Sequence, residues 1–352
     1  MVTALALETP VMTSSCQYIR GRWPLASART EGLLMFVRQA GVSSVRTICR
    51  VVLMSASLVS VPAIAQHHAL VVSGLGGESA YADSFKATGE AIAQALQSLD
   101  TEDDLIVHLY DSPTRELVLA TIESAAVRME AETSATFILV LVGHGTADSS
   151  TWKFNISGPD LTTEDLIAAL NAVPAQQQLV ILAASASGAT LEALSQPQRV
   201  VVTATKSGGE ANAVRFPEFL AEAVSSSQAD YDRNEILTIA EAFRFAQSRT
   251  ADYYEQQKLL ASEHARLRGD NASSMPLALL GSLKEANDDP AVAQLLEQRL
   301  ALEKQFKQLR SYKAEMSVAT YYSELETLLI AIAKLQQSID ATTGWSENDA
   351  ES

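Results

Sequence analysis

From residue 66 onward, short apolar runs alternate with amphipathic stretches of helical period. The run 137–142 is apolar at every position, which is typical of a central parallel strand buried on both faces. The other predicted strands span residues 69–73, 105–109, 179–182 and 200–202. The first predicted helix ends near residue 99, and the next three span residues 115–129, 163–172 and 215–224. This alternation predicts a three-layer α/β domain with a doubly wound, mostly parallel sheet, whose functional groups lie at the carboxyl ends of the strands.

The last third of the chain has a purely helical pattern. A helix is predicted over residues 239–267, and two long amphipathic stretches follow at 290–312 and 317–339. Their apolar stripes consist of Leu295, Leu296, Leu302, Phe306 and Leu309 in the first, and Tyr321, Leu325, Leu328, Ile332, Leu335 and Ile339 in the second. Residues 286–340 are therefore predicted to form an antiparallel, coiled-coil-like hairpin. Its own domain, another copy of the chain or a partner protein covers the stripe, so self-association stays open.

The N-terminal segment has the features of a secretory signal peptide. Arg38, Arg46 and Arg50 precede an apolar run, and Ala63-Ile64-Ala65 supplies an A-x-A cleavage signal. The run is shorter than the roughly 20 residues that a membrane-spanning helix needs. We expect residues 1–65 to be a leader, cleavage near Ala65, and a periplasmic or secreted protein without a membrane span. Whether synthesis begins at Met1 or Met35 stays open.

Charge and cysteine content exclude several functions. The formal net charge is −16, and residues 1–65 carry +4, so the remainder carries −20. A surface this acidic repels phosphate backbones, so nucleic acid is not expected as a partner. Both cysteines, Cys16 and Cys49, precede the predicted cleavage point. The mature chain would therefore have no disulfide, no cysteine-ligated metal and no cysteine nucleophile.

Three polar segments follow successive predicted strands: His144-Gly145, then Ser185, then Lys206-Ser207-Gly208. Histidine and serine at neighbouring strand ends are a workable arrangement of base and nucleophile, and the backbone amides of Gly145 and Ser185 could form an oxyanion hole.

These segments resemble the clan CD cysteine peptidases, and the legumain branch in particular. The legumain box Glu-Ala-Cys-Glu-Ser-Gly aligns with residues 183–188, the Asp-Leu-x-x-x-Asp-Leu stretch with residues 160–166, and the Ala-Thr strand end with residues 204–208. The resemblance implies a caspase-like fold over residues 66–280, with His144 as the catalytic histidine. It also implies that Lys206, Ser207 and Gly208 bind substrate.

Ser185 stands where the family has its catalytic cysteine, and Ala183 replaces a glutamate of the box. A serine hydroxyl needs a base in direct hydrogen-bond contact, whereas a thiol supplies some thiolate unaided. Three functions follow. The first is a catalytically impaired homologue that binds a peptide or protein in the former active-site cleft. The second is an active serine peptidase or amidase using Ser185 and His144. The third is a calcium-binding scaffold. Ser187 is an alternative hydroxyl, at a position that is structural in the family.

Residues 230–241 fit the calcium loop of an EF-hand at each liganding position. The predicted ligands are Asp230, Asp232, Asn234, Ile236, Thr238 and Glu241. Glu235 departs from the pattern, because the sixth position of the loop has a positive φ, which glycine adopts most easily. The alternative is an acidic turn that caps the following helix. An exported protein would meet the millimolar calcium that a weak site requires.

Overall fold

The computed structural model describes residues 66–99, 105–131, 135–148, 151–286 and 289–343. The predicted leader and its cleavage site lie outside these residues.

Eleven strands and nine helices are numbered here in chain order within the described residues. The strands are β1 (His67–Ser73), β2 (Ile106–Leu109), β3 (Thr136–Gly143), β4 (Gly145–Ala147), β5 (Trp152–Phe154), β6 (Leu161–Thr162), β7 (Gln177–Ala184), β8 (Arg199–Thr203), β9 (Ile236–Thr238), β10 (Arg266–Arg268) and β11 (Pro276–Leu279). The helices are α1 (Ser79–Gln97), α2 (Arg115–Met129), α3 (Thr163–Ala172), α4 (Leu191–Leu194), α5 (Phe216–Ala223), α6 (Ile239–Gln256), α7 (Gly281–Ala286), α8 (Pro290–Ser311) and α9 (Val318–Thr343).

A six-stranded sheet forms the centre of the molecule, in the order β10-β8-β7-β3-β1-β2. Five of its strands are parallel, and β10 alone runs antiparallel, at one edge. The prediction of a mixed α/β fold around a mostly parallel sheet is therefore confirmed.

Helices cover both faces of this sheet. Alternate residues of the strands pack against α1, α5 and α6 on one side, and against α2 and α3 on the other. In β3, Ile138, Val140 and Val142 belong to the first layer, while Phe137 and Leu139 belong to the second. All eight residues of β3 are buried. Burial of each large apolar side chain contributes about 1.5–3 kcal/mol, which explains the unbroken apolar run.

The predicted helix over residues 239–267 was wrong beyond Gln256. The chain takes a left-handed conformation at Lys258 (φ 54°), and residues 266–268 form the edge strand β10. The intervening segment crosses to α5, where the carboxylate of Glu263 accepts hydrogen bonds from the amides of Arg215 (2.7 Å) and Phe216 (3.1 Å). These contacts satisfy free N–H groups at the start of α5, an interaction that helical periodicity does not reveal.

The C-terminal helices α8 and α9 pack against each other, as the amphipathic pattern predicted. Val292, Leu296 and Ile339 join a small core with Ile236 and Leu283, which fixes the base of the hairpin to the α/β unit. Within the described residues, no helix combines the length and apolarity that crossing a bilayer would require.

Candidate functional site at the ends of two central strands

The ends of β3 and β7 lie side by side. Gly143 is the register partner of Ala184, so His144 and Ser185 each follow directly on a paired residue. Val142 and Ala183 both face the layer of α1 and α5. Because side chains alternate along a strand, His144 and Ser185 continue on that same face. The structure thus brings together two of the residues that the sequence singled out.

Aromatic side chains of α1 hold the His144 ring. It meets the rings of Tyr81 and Phe85 edge-on, with centroids 4.8 and 5.0 Å away. Burial lowers the pKa of the His144 imidazole below its ordinary value, and a hydrogen bond to the backbone of Gly76 offsets part of this effect. The ring is therefore neutral at pH 7, as a general base must be.

The Ser185 hydroxyl does not engage this base. Ser185 is 2% exposed, and no hydrogen bond links its hydroxyl to His144. Its carbonyl oxygen accepts a bond of 2.9 Å from the indole Nε1 of the buried Trp152. This bond fixes the backbone of Ser185 without activating its side chain.

Gly145 lies against both the Trp152 indole and the Ser185 carbonyl group. A Cβ at this position would stand 2.5 Å from Trp152 Nε1 and 2.6 Å from the Ser185 carbonyl oxygen, so a larger residue does not fit without movement of the backbone. The next amide after Ser185 belongs to Ala186, which has φ of 56° and donates to the carbonyl of Glu210 at 2.8 Å. That amide is consequently not directed at a substrate.

Ser187 has a structural role. It is fully buried, and its hydroxyl accepts a hydrogen bond of 3.1 Å from the amide of Ala204. Thr205 Oγ1 accepts another, of 2.8 Å, from the amide of Gly188. Together these bonds join the turn after β7 to the end of β8.

The segment Lys206–Gly208 lies against the same turn. A Cβ on Gly188 would stand 2.2 Å from the amide nitrogen of Ser207, and one on Gly208 would stand 2.8 Å from Ala147 Cβ. The third predicted segment therefore borders both the Ser185 turn and the hairpin that begins at Gly145.

Sequence reasoning missed a polar cluster at this border. Glu210 Oε1 lies 2.5 Å from His264 Nδ1 and 3.3 Å from Lys206 Nζ. Burial alone would raise the pKa of Glu210, but hydrogen bonds from Lys206 and His264 keep that pKa below its ordinary value. The side chains of Lys206 and His264 are 46% and 41% exposed, so they are accessible to a ligand. No spacing signal links residues 54 positions apart, although the Glu263-His264 pair does mark the segment.

A second serine–histidine pair is structural. Ser73 Oγ lies 2.9 Å from His108 Nε2, but it also donates to the Phe85 carbonyl at 2.8 Å. Because its proton is committed to Phe85, the hydroxyl accepts from His108. Burial lowers the pKa of His108, and this effect is larger than the rise in pKa caused by the charge of Glu90. This pair fixes α1 to the ends of β1 and β2.

The predicted calcium loop brings three carboxylates together. One oxygen each from Asp230, Asp232 and Glu241 lies within 4.8 Å of the others. Burial, together with the charges of Glu241 and Asp230, raises the pKa of Asp232 to about 6. Mutual repulsion of this kind is what a bound cation would relieve.

Glu235 adopts the left-handed conformation that the loop requires, with φ of 62°. Its carboxylate accepts hydrogen bonds from the amide of Leu283 (3.1 Å) and the hydroxyl of Ser282 (2.7 Å). The glutamate thus caps α7, which accounts for the departure from glycine.

The other loop residues already make local hydrogen bonds. Asn234 Oδ1 accepts from the Ile236 amide at 2.8 Å, and Glu241 forms a capping box with Thr238 at the start of α6. Both predictions for this segment, a cation site and an acidic helix cap, are thus compatible with its geometry.

The chain was compared with known proteins. No protein-family model matches it, and no curated protein matches it.

Proposed function

We propose that the chain is an exported, catalytically impaired homologue of the legumain and caspase-like peptidases, with a caspase-like fold. Its former active-site groove binds a peptide or an extended protein segment. The observation that carries this proposal is the pairing of a neutral His144 with a nearly buried Ser185 whose hydroxyl forms no hydrogen bond to it.

The impairment follows from serine chemistry. Attack by a hydroxyl requires a base within about 2.6–3.2 Å, oriented by a third group. Here the His144 ring rests on Tyr81 and Phe85, and within the described residues no hydrogen bond joins the Ser185 hydroxyl to that ring or to a carboxylate. A cysteine at the same position would tolerate the lack of this hydrogen bond, because a thiol ionises without it.

Binding capacity comes from the rim of the groove. The exposed Lys206 and His264 supply polar contacts, and the glycines at positions 145, 188 and 208 let the turns that carry this rim pack closely on one another. The partly buried carboxylate of Glu210 keeps these two side chains in place. These exposed polar groups favour a peptide ligand that is recognised through its side chains.

Fluorophosphonate labelling tests the loss of catalysis. We expect the fluorophosphonate to label the natural protein no more than it labels the Ser185→Ala variant. Labelling of the natural protein that disappears in Ser185→Ala would instead establish the active serine peptidase or amidase.

Peptide capture tests the groove itself. From a library of immobilised peptides, we expect ligands whose affinity falls several-fold in Lys206→Ala. Lys284→Ala, an exposed lysine on α7, is the matched control and should bind as the natural protein does. Equal loss in both variants, or the absence of any bound peptide, would contradict the proposal.

A calcium site is the second candidate, favoured by the close approach of Asp230, Asp232 and Glu241 and by the left-handed Glu235. Calcium at ten times its dissociation constant stabilises the folded state by about 1.4 kcal/mol, which raises Tm by roughly 2–5 °C. We expect this increase at millimolar calcium, its loss in Asp232→Asn, and its retention in Glu255→Gln. Asp232 is a better target than Glu241, which also caps α6. An unchanged Tm in the natural protein would exclude the site.

A further inference from the structure

The C-terminal hairpin differs in charge from the rest of the chain. Residues 290–343 contain six lysines and arginines and six acids, so their net charge is zero. Residues 66–289 contain fourteen basic and thirty-one acidic residues, a net charge of −17. Two copies of so acidic a domain repel each other. The hairpin is a surface on which they can approach without that repulsion.

The two helices of the hairpin also carry opposite charge. In α8, four cations (Arg299, Lys304, Lys307 and Arg310) exceed two acids, whereas in α9 three acids (Glu324, Glu326 and Asp340) exceed one lysine. The net charges are +2 and −2. Pairing about a two-fold axis would set each α8 against the α9 of the other copy, so that unlike charges face each other.

Helix α9 carries more apolar surface than one neighbour can cover. Its seam residues alternate at spacings of four and three from Tyr321 to Ile339, as in a coiled coil. Beside this seam lie Val318, Tyr322, Leu329 and Ile330, which are between 47% and 75% exposed. An apolar stripe wider than a single seam is typical of a helix in a bundle with several neighbours.

An open groove of about 630 Å³ lies near the connection of the two helices, between residues that include Leu309, Tyr312 and Leu328. The cluster that holds the hairpin to the α/β unit uses its base, at Val292, Leu296 and Ile339. The groove therefore lies at the far end of the hairpin from this anchor. A side chain of a second copy could fill it.

The hairpin is large enough for a stable contact. Helices of 22 and 26 residues are about 33–39 Å long and together about 20 Å wide. One face then offers about 700 Å², close to the roughly 800 Å² that each partner contributes to a typical specific interface.

From these features we propose that the hairpins of two copies pair about a two-fold axis into a four-helix bundle, with α8 of each copy against α9 of the other. This homodimer does not depend on the function proposed for the groove. It would place two copies of that groove on one particle.

Sedimentation equilibrium of the full chain tests the dimer. We expect twice the monomer mass at micromolar concentration, and at least a ten-fold rise in the dissociation constant for the double variant Tyr322→Glu/Leu329→Glu. The matched control is Leu259→Glu/Leu260→Glu, since Leu260 is 94% exposed and lies outside the hairpin. It should remain dimeric. A monomeric natural protein, or an unweakened dimer in the hairpin variant, would overturn the proposal.

Cysteine cross-linking covers the case in which that double variant does not fold. With Cys16 and Cys49 replaced by serine, the chain has no other thiol. A bifunctional thiol reagent should link two copies of Leu329→Cys and leave Leu260→Cys monomeric. Equal linking of both variants, or of neither, would again reject the hairpin as the interface.

Discussion

At the scale of single residues, Arg199 is a buried charge whose hydrogen-bond partners, among the described residues, are all neutral. It is 1% exposed, and its guanidinium donates to Gln178 Oε1 (2.7 Å), the Leu194 carbonyl (2.9 Å) and Asn171 Oδ1 (3.1 Å). Burial lowers the pKa of Arg199, yet an arginine stays charged in proteins. Its three acceptors hold β8 to β7, α3 and α4.

Removing this guanidinium would leave those three acceptors without their hydrogen-bond donor. We expect Arg199→Leu to lower the free energy of unfolding by about 2–4 kcal/mol, since each buried unsatisfied group costs about 1–3 kcal/mol. Arg249→Leu, which removes a half-exposed arginine paired with Glu222, should change it by less than about 1 kcal/mol. Urea unfolding of both variants measures the difference, and similar losses in the two would contradict the assigned role.

His144 offers a prediction about pH. A folded-state pKa below the ordinary value means that the unfolded chain takes up the proton first as pH falls. The contribution of His144 to stability is therefore complete above about pH 6.5 and declines as pH falls below it. We expect an NMR titration, assigned with His144→Asn, to give a midpoint below 6.5. A midpoint at or above that value would show that the ring is not buried against α1.

The sequence revealed some residues of this site and left others unrecognised. His144 and Ser185 follow apolar strands and were recognisable from local pattern. Glu210 and His264 could not be found, because a hydrogen bond between residues 54 positions apart leaves no periodic trace. Equally, the pattern could not tell whether the Ser185 hydroxyl would touch a base.

At the scale of elements, helices with good caps matched their predicted bounds. Helix α2 begins after Thr114, whose hydroxyl accepts from Leu117, and α3 begins with a capping box of Thr162 and Asp165. Strands of two or three residues, such as β4, β6 and β10, are too short for a period to register. The position of such a strand is determined by the strand it pairs with, rather than by its own sequence.

The contact between two strand-end turns can be tested with a glycine pair. A Cβ on Gly188 would meet backbone atoms of Lys206 and Ser207 within 2.3 Å, whereas on Gly209 the nearest atom is Ser207 Oγ at 3.6 Å. We expect Gly188→Ala to destabilise by about 1–3 kcal/mol and to weaken peptide capture, and Gly209→Ala to change stability by less than about 0.5 kcal/mol. Thermal unfolding of both compares them. A tolerated Gly188→Ala would mean that the two turns do not touch.

At the scale of the whole molecule, alternating strands and helices were enough to predict the parallel sheet and its covering layers. The antiparallel edge strand was not predictable, because its position depends on Glu263 reaching the start of α5. The hairpin was predictable as two helices. The pairing proposed for it also depends on the exposure of Tyr322, Leu329 and Ile330, which the sequence pattern did not reveal.

The central claim is that His144 and Ser185 lie at adjacent strand ends and on one face of the sheet. Adjacent strands are about 4.8 Å apart, and a disulfide needs Cα atoms about 4.4–6.8 Å apart. In a background lacking Cys16 and Cys49, oxidation of His144→Cys/Ser185→Cys should form an intramolecular disulfide. Tyr110→Cys/Ser185→Cys should not, because β2 lies three strands from β7. Two free thiols in the first variant after oxidation, or a disulfide in the second, would contradict the account.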